Sequence, residues 1–400
     1  MAENQVKQCD ICIGCGRCGV LTEESLRVVT QSFLKTKKQR ADVNGESFVL
    51  ADIGTTTIAM ELYNVSGEKV EEYVCPNPQR IFGADVISRI QAAENPMNAR
   101  QMQSLVKGVL ERGIQRFKDT GVVFERMYVA ANTTMLYLLM GHEAESLGWA
   151  PFEAFYLESE SFAIGNVQVV TLPGLSAFLG ADVFAGVLAC GMHETEEISL
   201  LIDLGTNGEM VPGNQEQMIA CSTAAGPVFD GLCNKDGQMV WGADLVHLVA
   251  KLIENGIVDE TGLLAEKYFA SGIDIGGVRI KQEYIRNLQT AKAAIATGIM
   301  YLLQESGVST ERVNKVYLAG GFGYFLQEED AMRIGLLPKE FRGKVVSAGN
   351  TALAGAYTYG RLKDRETVTD KLRQTVQIRN LAQWEHFNEH FIQSMDFLNN

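Results

Sequence analysis

The sequence lacks a membrane-spanning stretch, a secretory signal and a basic face. No segment approaches the ~18 consecutive apolar residues that a membrane helix requires, and the first ten residues have no apolar signal core. Net charge is −14, and the only short basic run is at residues 35–40, so nothing is available to neutralise a phosphate backbone. We expect a cytoplasmic protein with neither nucleic acid nor a membrane as partner.

No low-complexity segment interrupts the chain, and its composition is that of a soluble globular protein, with 46% hydrophobic and 21% charged residues. A chain of 400 residues is too long for one ordinary hydrophobic core. We therefore expect more than one domain.

The eight cysteines are distributed unevenly. A disulfide framework would spread its cysteines, whereas a tight cluster in a reducing compartment indicates a metal site. Buried, inert thiols are the expected role of three of the scattered cysteines, Cys190, Cys221 and Cys233, while Cys75 has no assigned role. The clustered four are Cys9, Cys12, Cys15 and Cys18.

The spacing of the cluster, C-x₂-C-x₂-C-x₂-C, is one residue shorter at the last gap than the C-x₂-C-x₂-C-x₃-C-P run of bacterial ferredoxins. Cys9, Cys12 and Cys15 are the strongest candidate ligands for a [4Fe–4S] cluster. The fourth ligand is Cys18, a distal cysteine or a thiolate from a second subunit, which leaves a homodimer open. The alternative is a tetrahedral zinc site of four thiolates.

A strand–turn–strand pattern occurs twice, about 150 residues apart, as SFVLADIGTTTIAMELY and ISLLIDLGTNGEMV. Alternating strand and helix signals follow each copy, which predicts a duplicated α/β fold. We expect a Cys-rich segment at residues 1–20, a linker at 21–46, a first lobe at 47–195 and a second lobe with a C-terminal tail at 196–400. The helix signals fall at residues 85–93, 100–118, 135–140, 243–254, 289–305 and 350–359.

The repeated D-x-G-T turn suits a nucleotide. Glycine lets backbone N–H groups approach phosphate oxygens, threonine hydroxyls add donors, and the carboxylate holds Mg²⁺ directly or through water. Alone, one such turn is more often a plain β-turn, but two facing each other would clamp one ATP. The candidates in the first turn are Asp52, Gly54, Thr55, Thr56 and Thr57. Those in the second turn are Asp203, Gly205, Thr206, Asn207 and Gly208.

Other residues are weaker candidates for the same site. The AGGFG run after a strand contains Gly320 and Gly321, which would let the backbone lie against adenosine. Glu209 follows the second turn and Asp230 lies just past Gly226 in sequence, so either carboxylate would orient water on the γ-phosphate or bind Mg²⁺ through water. Lys292, in a small-residue helix, is either a packed residue with a snorkelling head or a nucleotide contact.

Several segments together resemble a known family. The arrangement is similar to the acetate and sugar kinase, Hsp70 and actin superfamily (ASKHA), and more narrowly to the ATP-dependent reductive activators of corrinoid proteins. Coverage is roughly residues 48–398. The motifs that carry the resemblance are LADIGTTTIAMELY, PNPQRIFGADVISRI, LPGLSAFLGADVFAGVLACGM, LLIDLGTNGEM, CSTAAGPVFDG, LQTAKAAIATGI, YLAGGFG and GNTALAGA.

The resemblance implies an actin-like (ribonuclease H-like) ATPase fold and a function. The protein would reduce the Co(II) corrinoid protein of a methyltransferase system to Co(I), using ATP and one electron from an external low-potential donor. Alternatives are a small-molecule kinase, which has no use for clustered thiolates, and an activator of a radical 2-hydroxyacyl-CoA dehydratase. Long members carry a ferredoxin-like domain and a linker domain where this chain has about forty residues, so their route of electron entry is not carried over.

Overall fold

The computed structural model describes residues 46–205, 207–229, 232–233, 239–240, 242–275 and 278–397. The Cys-rich segment and most of the predicted linker lie outside these residues, as do Thr206 and Asp230. No helix of the described part is long and apolar enough to cross a membrane.

The first half of the described chain forms a six-stranded mixed sheet with its helices. The strand β1 is buried at nearly every position because it lies at the centre of this sheet, between β2 and β4. The strands are β1 (Phe48–Ile53), β2 (Thr57–Tyr63), β3 (Lys69–Pro76), β4 (Arg126–Ala131), β5 (Ser161–Ile164) and β6 (Val167–Thr171). The helices are α1 (Val86–Ala93), α2 (Pro96–Lys118), α3 (Thr133–Met140), α4 (Glu145–Gly148) and α5 (Ala181–Ala189).

The second half forms another six-stranded sheet and two short two-stranded ribbons. Its strands are β7 (Ser199–Leu204), β8 (Gly208–Gly213), β9 (Met218–Thr223), β10 (Leu232–Cys233), β11 (Met239–Val240), β12 (Ile273–Ile275), β13 (Val278–Ile280), β14 (Lys315–Ala319), β15 (Val345–Gly349) and β16 (Val376–Ile378). Its helices are α6 (Gly242–Glu254), α7 (Glu266–Phe269), α8 (Gln282–Ser306), α9 (Gly320–Phe325), α10 (Glu328–Arg333), α11 (Thr351–Arg361), α12 (Arg365–Thr375) and α13 (Phe387–Gln393).

The two large sheets repeat one topology. The first has the order β3-β2-β1-β4-β6-β5 and the second the order β15-β14-β7-β8-β9-β16. In each, a three-stranded antiparallel meander is followed by two strands parallel to its first strand. Only the sixth strand differs, since β5 extends one edge of its sheet and β16 the opposite edge of the other. The predicted duplicated α/β fold is confirmed.

Local capping explains where several elements differ from the sequence signals. The helix predicted at 100–118 begins at Pro96, because the Asn95 side chain accepts a hydrogen bond from the Met97 amide at 2.9 Å and proline is favoured at a first helical position. The AGGFG run enters the helix α9 at Gly320. Its Gly320 adopts a φ of +80°, which lets the chain pass from β14 directly into α9.

Helices α11 and α5 connect the two halves of the chain by packing against each other. Helix α11 belongs to the second half by sequence, yet it packs on β1 and β4 of the first sheet and against α5. The hydrophobic core of the first sheet accordingly includes Leu353 and Ala356 of α11, together with Leu201 of β7. The ends of β1 and β7 that carry the D-x-G-T turns are thereby held on one shared cavity.

Candidate functional site

A cavity of about 230 Å³ is lined by residues of both halves of the chain, including both D-x-G-T turns. Four of the lining side chains are carboxylates. The first half contributes Asp52, Gly54, Thr55, Thr56, Thr57, Asn132 and Asp182. The second contributes Asp203, Leu204, Gly205, Asn207, Glu209, Gly320, Asn350, Thr351 and Ala352.

The first turn is closed by a hydrogen bond from the Gly54 amide to the Thr57 carbonyl at 2.9 Å. A second bond fixes a hydroxyl on the cavity wall, since Asn132 Nδ2 donates to Thr55 Oγ1 at 3.2 Å. Asn132 follows β4 and caps α3 by accepting from the Met135 amide. Because β1 and β4 are adjacent strands, the first D-x-G-T turn and the start of α3 lie on the same wall of the cavity.

Three successive carbonyl groups of this turn are held by the segment at residues 76–90. Asn77 donates from Nδ2 to the Gly54 carbonyl at 2.8 Å and from its backbone amide to the Thr56 carbonyl at 2.8 Å. Arg89 Nη2 donates to the Thr55 carbonyl at 2.6 Å. The motif PNPQRIFGADVISRI thus forms the scaffold of the first turn.

Arg89 is a buried cation, only 1% exposed, behind the first turn. It also donates to the Gly83 carbonyl and approaches the Met135 sulfur. Burial lowers the pKa of its guanidinium to about 10, opposed in part by Asp85. The group remains charged at neutral pH and adds a positive charge beside the turn.

The second turn places two carboxylates opposite each other. Asp203 on β7 pairs with Glu209 on β8, and Gly205 donates its amide to the Asn207 carbonyl at 2.9 Å. Gly320 lies against this carboxylate, because a Cβ built on it would come within 3.2 Å of Asp203 Oδ1. The absence of a side chain at Gly320 keeps that side of Asp203 open.

Asp182 is the fourth carboxylate of the cavity and was not predicted. It lies in the first turn of α5, where its Oδ1 accepts the Val183 amide at 2.8 Å. Gly180 permits this placement, since a Cβ there would lie 2.5 Å from Asn132 Cα. The only signal in the sequence was the position of Asp182 inside the motif LPGLSAFLGADVFAGVLACGM.

The carboxylates share an environment that disfavours negative charge. Burial raises the pKa of Asp52 to about 7, with a contribution from Asp182 and an opposing hydrogen bond from Asn350. Burial raises the pKa of Asp182 to about 6. The pKa of Glu209 is raised well above its usual value, first by burial and then by Asp182 and Asp203. Such a cluster is stabilised by a bound cation.

A bare metal ion is not enclosed by these side chains. Within the described ranges, no group of three or more His, Cys, Asp or Glu residues is placed to hold a metal ion. Magnesium usually keeps several waters and binds through one or two carboxylates plus substrate phosphates. The donor set therefore suits Mg²⁺ that arrives with a nucleotide.

Most predicted site residues meet at this cavity, and some do not. Gly208 begins β8 beside it, without lining it, and a Cβ there would collide with Ile295. Gly226 is not among the lining residues, and Gly321 follows Gly320 in α9. Thr206 and Asp230 lie outside the described residues.

Lys292 is also away from the cavity lining. Its Nζ donates to the Asp396 carbonyl and lies 5.2 Å from the centre of the Phe397 ring. Burial lowers its pKa to about 8. The side chain holds the C-terminal segment on α8, which corresponds to the packed alternative for this residue and not to the nucleotide contact.

Two of the scattered cysteines, Cys190 and Cys221, lie in surroundings that disfavour the thiolate. Burial raises the pKa of the Cys221 thiol to about 12, with a smaller contribution from Glu209. Burial and the nearby Asp203 raise the pKa of Cys190 far above its usual range. Thiols that stay protonated at neutral pH are poor metal ligands and nucleophiles.

The duplicated sheets, with a carboxylate-lined cavity between two glycine–threonine turns, define an ASKHA-type fold. Family models match nearly the whole described chain: the RACo middle region matches residues 49–195, and the C-terminal domain of RACo, the ASKHA domain, matches 197–241 and 238–400. The chain belongs to the RACo family, and the resemblance found in the sequence is confirmed.

Individual relatives are similar over most of the chain. The corrinoid activation enzyme RamQ of Eubacterium limosum is 28% identical, over 92% of this chain and 72% of its own length. The [Co(II) methylated amine-specific corrinoid protein] reductase of Methanosarcina barkeri is 22% identical, over 81% and 70%. A solved reductive activator for a corrinoid, iron–sulfur protein superposes with a TM-score of 0.78 at 27% identity, over 89% of this chain and 67% of that one.

Proposed function

We propose that this protein is an ATP-dependent reductive activator of a corrinoid protein. It returns the inactive Co(II) form of a methyltransferase's corrinoid protein to Co(I), with one electron from an external low-potential donor. The observation that carries the proposal is the joining of both D-x-G-T turns at one cavity in a chain of the RACo family. Relatives named as corrinoid activation enzyme and corrinoid protein reductase support it.

The cavity is the proposed site of ATP and Mg²⁺. The turn residues Gly54 to Thr57 and Gly205 to Asn207 would bind the phosphates, and Gly320 and Gly321 would face the adenosine. Asp52, Asp182 and Asp203 would hold Mg²⁺ largely through water, and bound Mg²⁺ supplies charge neutralisation on the phosphates. Glu209 would orient the attacking water, a role for which Asp230 is the other candidate.

Nucleotide binding would act on the partner through the two lobes, which we assign to residues 47–195 and 196–400. Both lobes contribute lining residues, so a nucleotide contacting both turns favours a closed arrangement over an open one. That difference in affinity is sufficient to bias the complex with the corrinoid protein. ATP has no need to touch the cobalt.

Electrons would enter at residues 1–20. Cys9, Cys12, Cys15 and Cys18 would hold an iron–sulfur cluster, which supplies one-electron redox chemistry when bound; four thiolates on zinc are the alternative. These cysteines lie outside the described residues, so the assignment rests on their spacing.

The test is anaerobic reduction of a Co(II) corrinoid protein, followed by the visible spectrum of Co(I), with and without ATP. Reduction that needs ATP, a low-potential reductant and the intact chain supports the proposal. The double variant Cys12→Ser/Cys15→Ser should lose iron and reductive activity but keep ATP binding. Phosphotransfer to sugars or carboxylates that survives in this variant would instead establish a kinase.

A further inference from the structure

Residues 149–178 carry four exposed aromatic side chains that the proposed ATP site does not use. Phe155 is 67% exposed, Trp149 58%, Tyr156 49% and Phe178 45%. Phe152 joins them, with its ring centre 5.3 Å from that of Phe178. We call these five residues the aromatic surface. Exposed apolar residues in a group mark interaction sites more often than scattered ones do.

The backbone beneath this surface is fixed by a buried tyrosine. The hydroxyl of Tyr137, which is fully buried, accepts the amides of Phe155 at 2.6 Å and Tyr156 at 2.9 Å. The ring of His142 stacks on Tyr156 at 3.8 Å and its Nε2 lies 2.6 Å from Glu160. The backbone at Phe155 and Tyr156 and the ring of Tyr156 are therefore held in place before any partner arrives, which lowers the entropy lost on binding.

The backbone conformation of Phe152 is a second observation that points to a binding role for this segment. Its φ of +59° is in the left-handed region, which a residue with a bulky side chain rarely adopts. Its amide donates to the Trp149 carbonyl at 2.7 Å, closing a turn. Backbone conformations of this kind persist where the surrounding structure enforces them, commonly at binding sites.

The chain segment that carries the aromatic surface is itself acidic, and Arg373 of α12 reaches its edge, where it also donates to the Leu157 and Gly174 carbonyls. Residues 127–234 contain no Lys or Arg. The same segment exposes carboxylates near the aromatic residues in sequence, at Glu143, Glu145, Glu153 and Glu158, of which only Glu158 has a described cationic partner, Arg373. A complementary partner would present Lys or Arg around an apolar patch.

The aromatic surface is linked directly to the first D-x-G-T turn. Arg89 of α1 holds the Thr55 carbonyl, and the next residue, Ile90, is buried beneath the surface. On the other side, Thr133 Oγ1 donates to the Ser176 carbonyl at 2.6 Å, two residues before Phe178. The small hydrophobic cluster that connects these elements comprises Ile90, Tyr137, Ala144 and Leu147.

From these observations we propose that the aromatic surface is the docking site for a protein partner that packs apolar side chains against the aromatic rings and places Lys or Arg against Glu143, Glu145 and Glu153. This inference rests on the proposed function, under which the partner is the Co(II) corrinoid protein. That partner is the one whose binding must respond to ATP, and the surface shares α1 with the turn that would bind phosphate.

The test replaces two aromatic anchors in the full-length protein. Trp149→Ser/Phe155→Ser should weaken binding of the Co(II) corrinoid protein at least about tenfold, as expected for loss of buried aromatic anchors. Affinity for ATP without the partner should stay the same. The matched control is Phe269→Ser on α7 of the other lobe, which removes a 51% exposed aromatic ring and should change neither value.

A second pair of variants tests the charge. Glu145→Lys/Glu153→Lys should slow association with the corrinoid protein and reverse or flatten its salt dependence. Glu340→Lys/Glu385→Lys makes the same charge change at exposed positions of the second lobe and should leave association nearly unchanged.

The outcomes separate this inference from the proposed function. If the unaltered protein does not bind the corrinoid protein, both fail. If it binds and the aromatic variant binds equally well, only the docking site is wrong. A change of the aromatic variant from dimer to monomer would make the surface a contact between copies of this chain. A loss of thermal stability without loss of affinity would mean that the chain covers the surface itself; either result overturns the inference.

Discussion

Asn350 donates a hydrogen bond from Nδ2 to Oδ2 of Asp52 at 2.7 Å, across 298 positions of sequence. The same side chain caps α11, because its Oδ1 accepts the Leu353 amide at 2.8 Å. One residue of the second lobe therefore starts the helix that packs on the first sheet and holds the carboxylate of the first turn. Its bond also lowers the pKa of Asp52, which burial and Asp182 raise.

Two substitutions of Asn350 separate these roles. Asn350→Ser keeps a capping oxygen and loses the amide donor, so the cap of α11 should survive while the pH dependence of ATP hydrolysis moves to higher pH. Asn350→Ala loses both the capping oxygen and the amide donor, and it should destabilise the protein by about 1–2 kcal/mol more than Asn350→Ser does. Thermal melts and pH–rate profiles measure the two effects. Equal stability of the Ser and Ala variants would remove the capping role.

The raised pKa of Asp52 predicts a stability that falls as pH rises. The folded chain binds the proton more tightly than the unfolded chain, so the free energy of unfolding decreases between about pH 4 and pH 7. Asp52→Asn cannot ionise. In the absence of nucleotide it should be more stable than the unaltered protein at pH 8, by about 1–2 kcal/mol after screening by water in the cavity, and this difference should vanish below about pH 4, where Asp52 is protonated in both the folded and the unfolded chain.

The same variant should lose ATP hydrolysis, as should Asp203→Asn, because each removes a carboxylate assigned to Mg²⁺. Asp370→Asn on α12 neutralises an exposed carboxyl and is the control, with hydrolysis and pH-dependent stability unchanged. Denaturant unfolding at the two pH values and phosphate release provide the measurements. Near-normal hydrolysis in the Asp52 variant would refute the site.

The repeated D-x-G-T pattern was sufficient to predict the duplicated fold and both turns, because each is a local signal that places glycine, threonine and a carboxylate between two strands. Asp182, Asn132 and Asn350 were missed. Each lies at a helix start, outside the local D-x-G-T patterns. Only the pairing of β1 with β4 and the packing of α5 on α11 bring these residues to the cavity.

Lys292 shows a second limit of prediction from sequence. The small-residue helix that carries Lys292 can be predicted from the sequence, but the direction in which the lysine side chain points cannot. The structure shows that α8 carries the C-terminal segment, with Gln289 Nε2 donating to the Met395 carbonyl at 2.9 Å and Phe397 fully buried. A contact across about a hundred residues has no local signature, so a lysine near nucleotide motifs was indistinguishable from one packed against the tail.

Arg89 should be needed to position the phosphate loop. Arg89→Gln removes the charge and the bond to the Thr55 carbonyl, and should weaken ATP binding by about 1.5–3 kcal/mol, roughly ten- to hundredfold. Affinity for adenosine, which has no phosphate, should change much less. Calorimetric titration with the two ligands distinguishes positioning of the loop from general damage, which would weaken both.

The control for this variant is Arg365→Gln. Arg365 also donates to backbone carbonyl groups, those of Tyr359 at 2.9 Å and Gly360 at 2.7 Å, but at the far end of α11. The substitution should reduce stability without affecting the ratio of ATP to adenosine affinity. An equal decrease in the ratio of ATP affinity to adenosine affinity in both variants would contradict the role of Arg89.

Coupling between nucleotide and partner gives the last prediction. If ATP favours a closed arrangement that binds the Co(II) corrinoid protein, the partner must tighten ATP binding by the same factor by which ATP tightens the partner. A coupling of ~1–3 kcal/mol corresponds to a change of roughly 5- to 150-fold in each dissociation constant. ATP affinity should be measured alone, with the Co(II) corrinoid protein and with the methylated protein.

The Co(II) form should produce the change and the methylated form should not, because a protein already in the catalytic cycle needs no repair and tight binding would block methyl transfer. Arg89→Gln provides an internal check. Arg89 connects the first turn to α1, so its loss should reduce the coupling factor as well as ATP affinity, whereas Arg365→Gln should leave the factor intact. Equal ATP affinities under all three conditions in the unaltered protein would rule out switching by nucleotide.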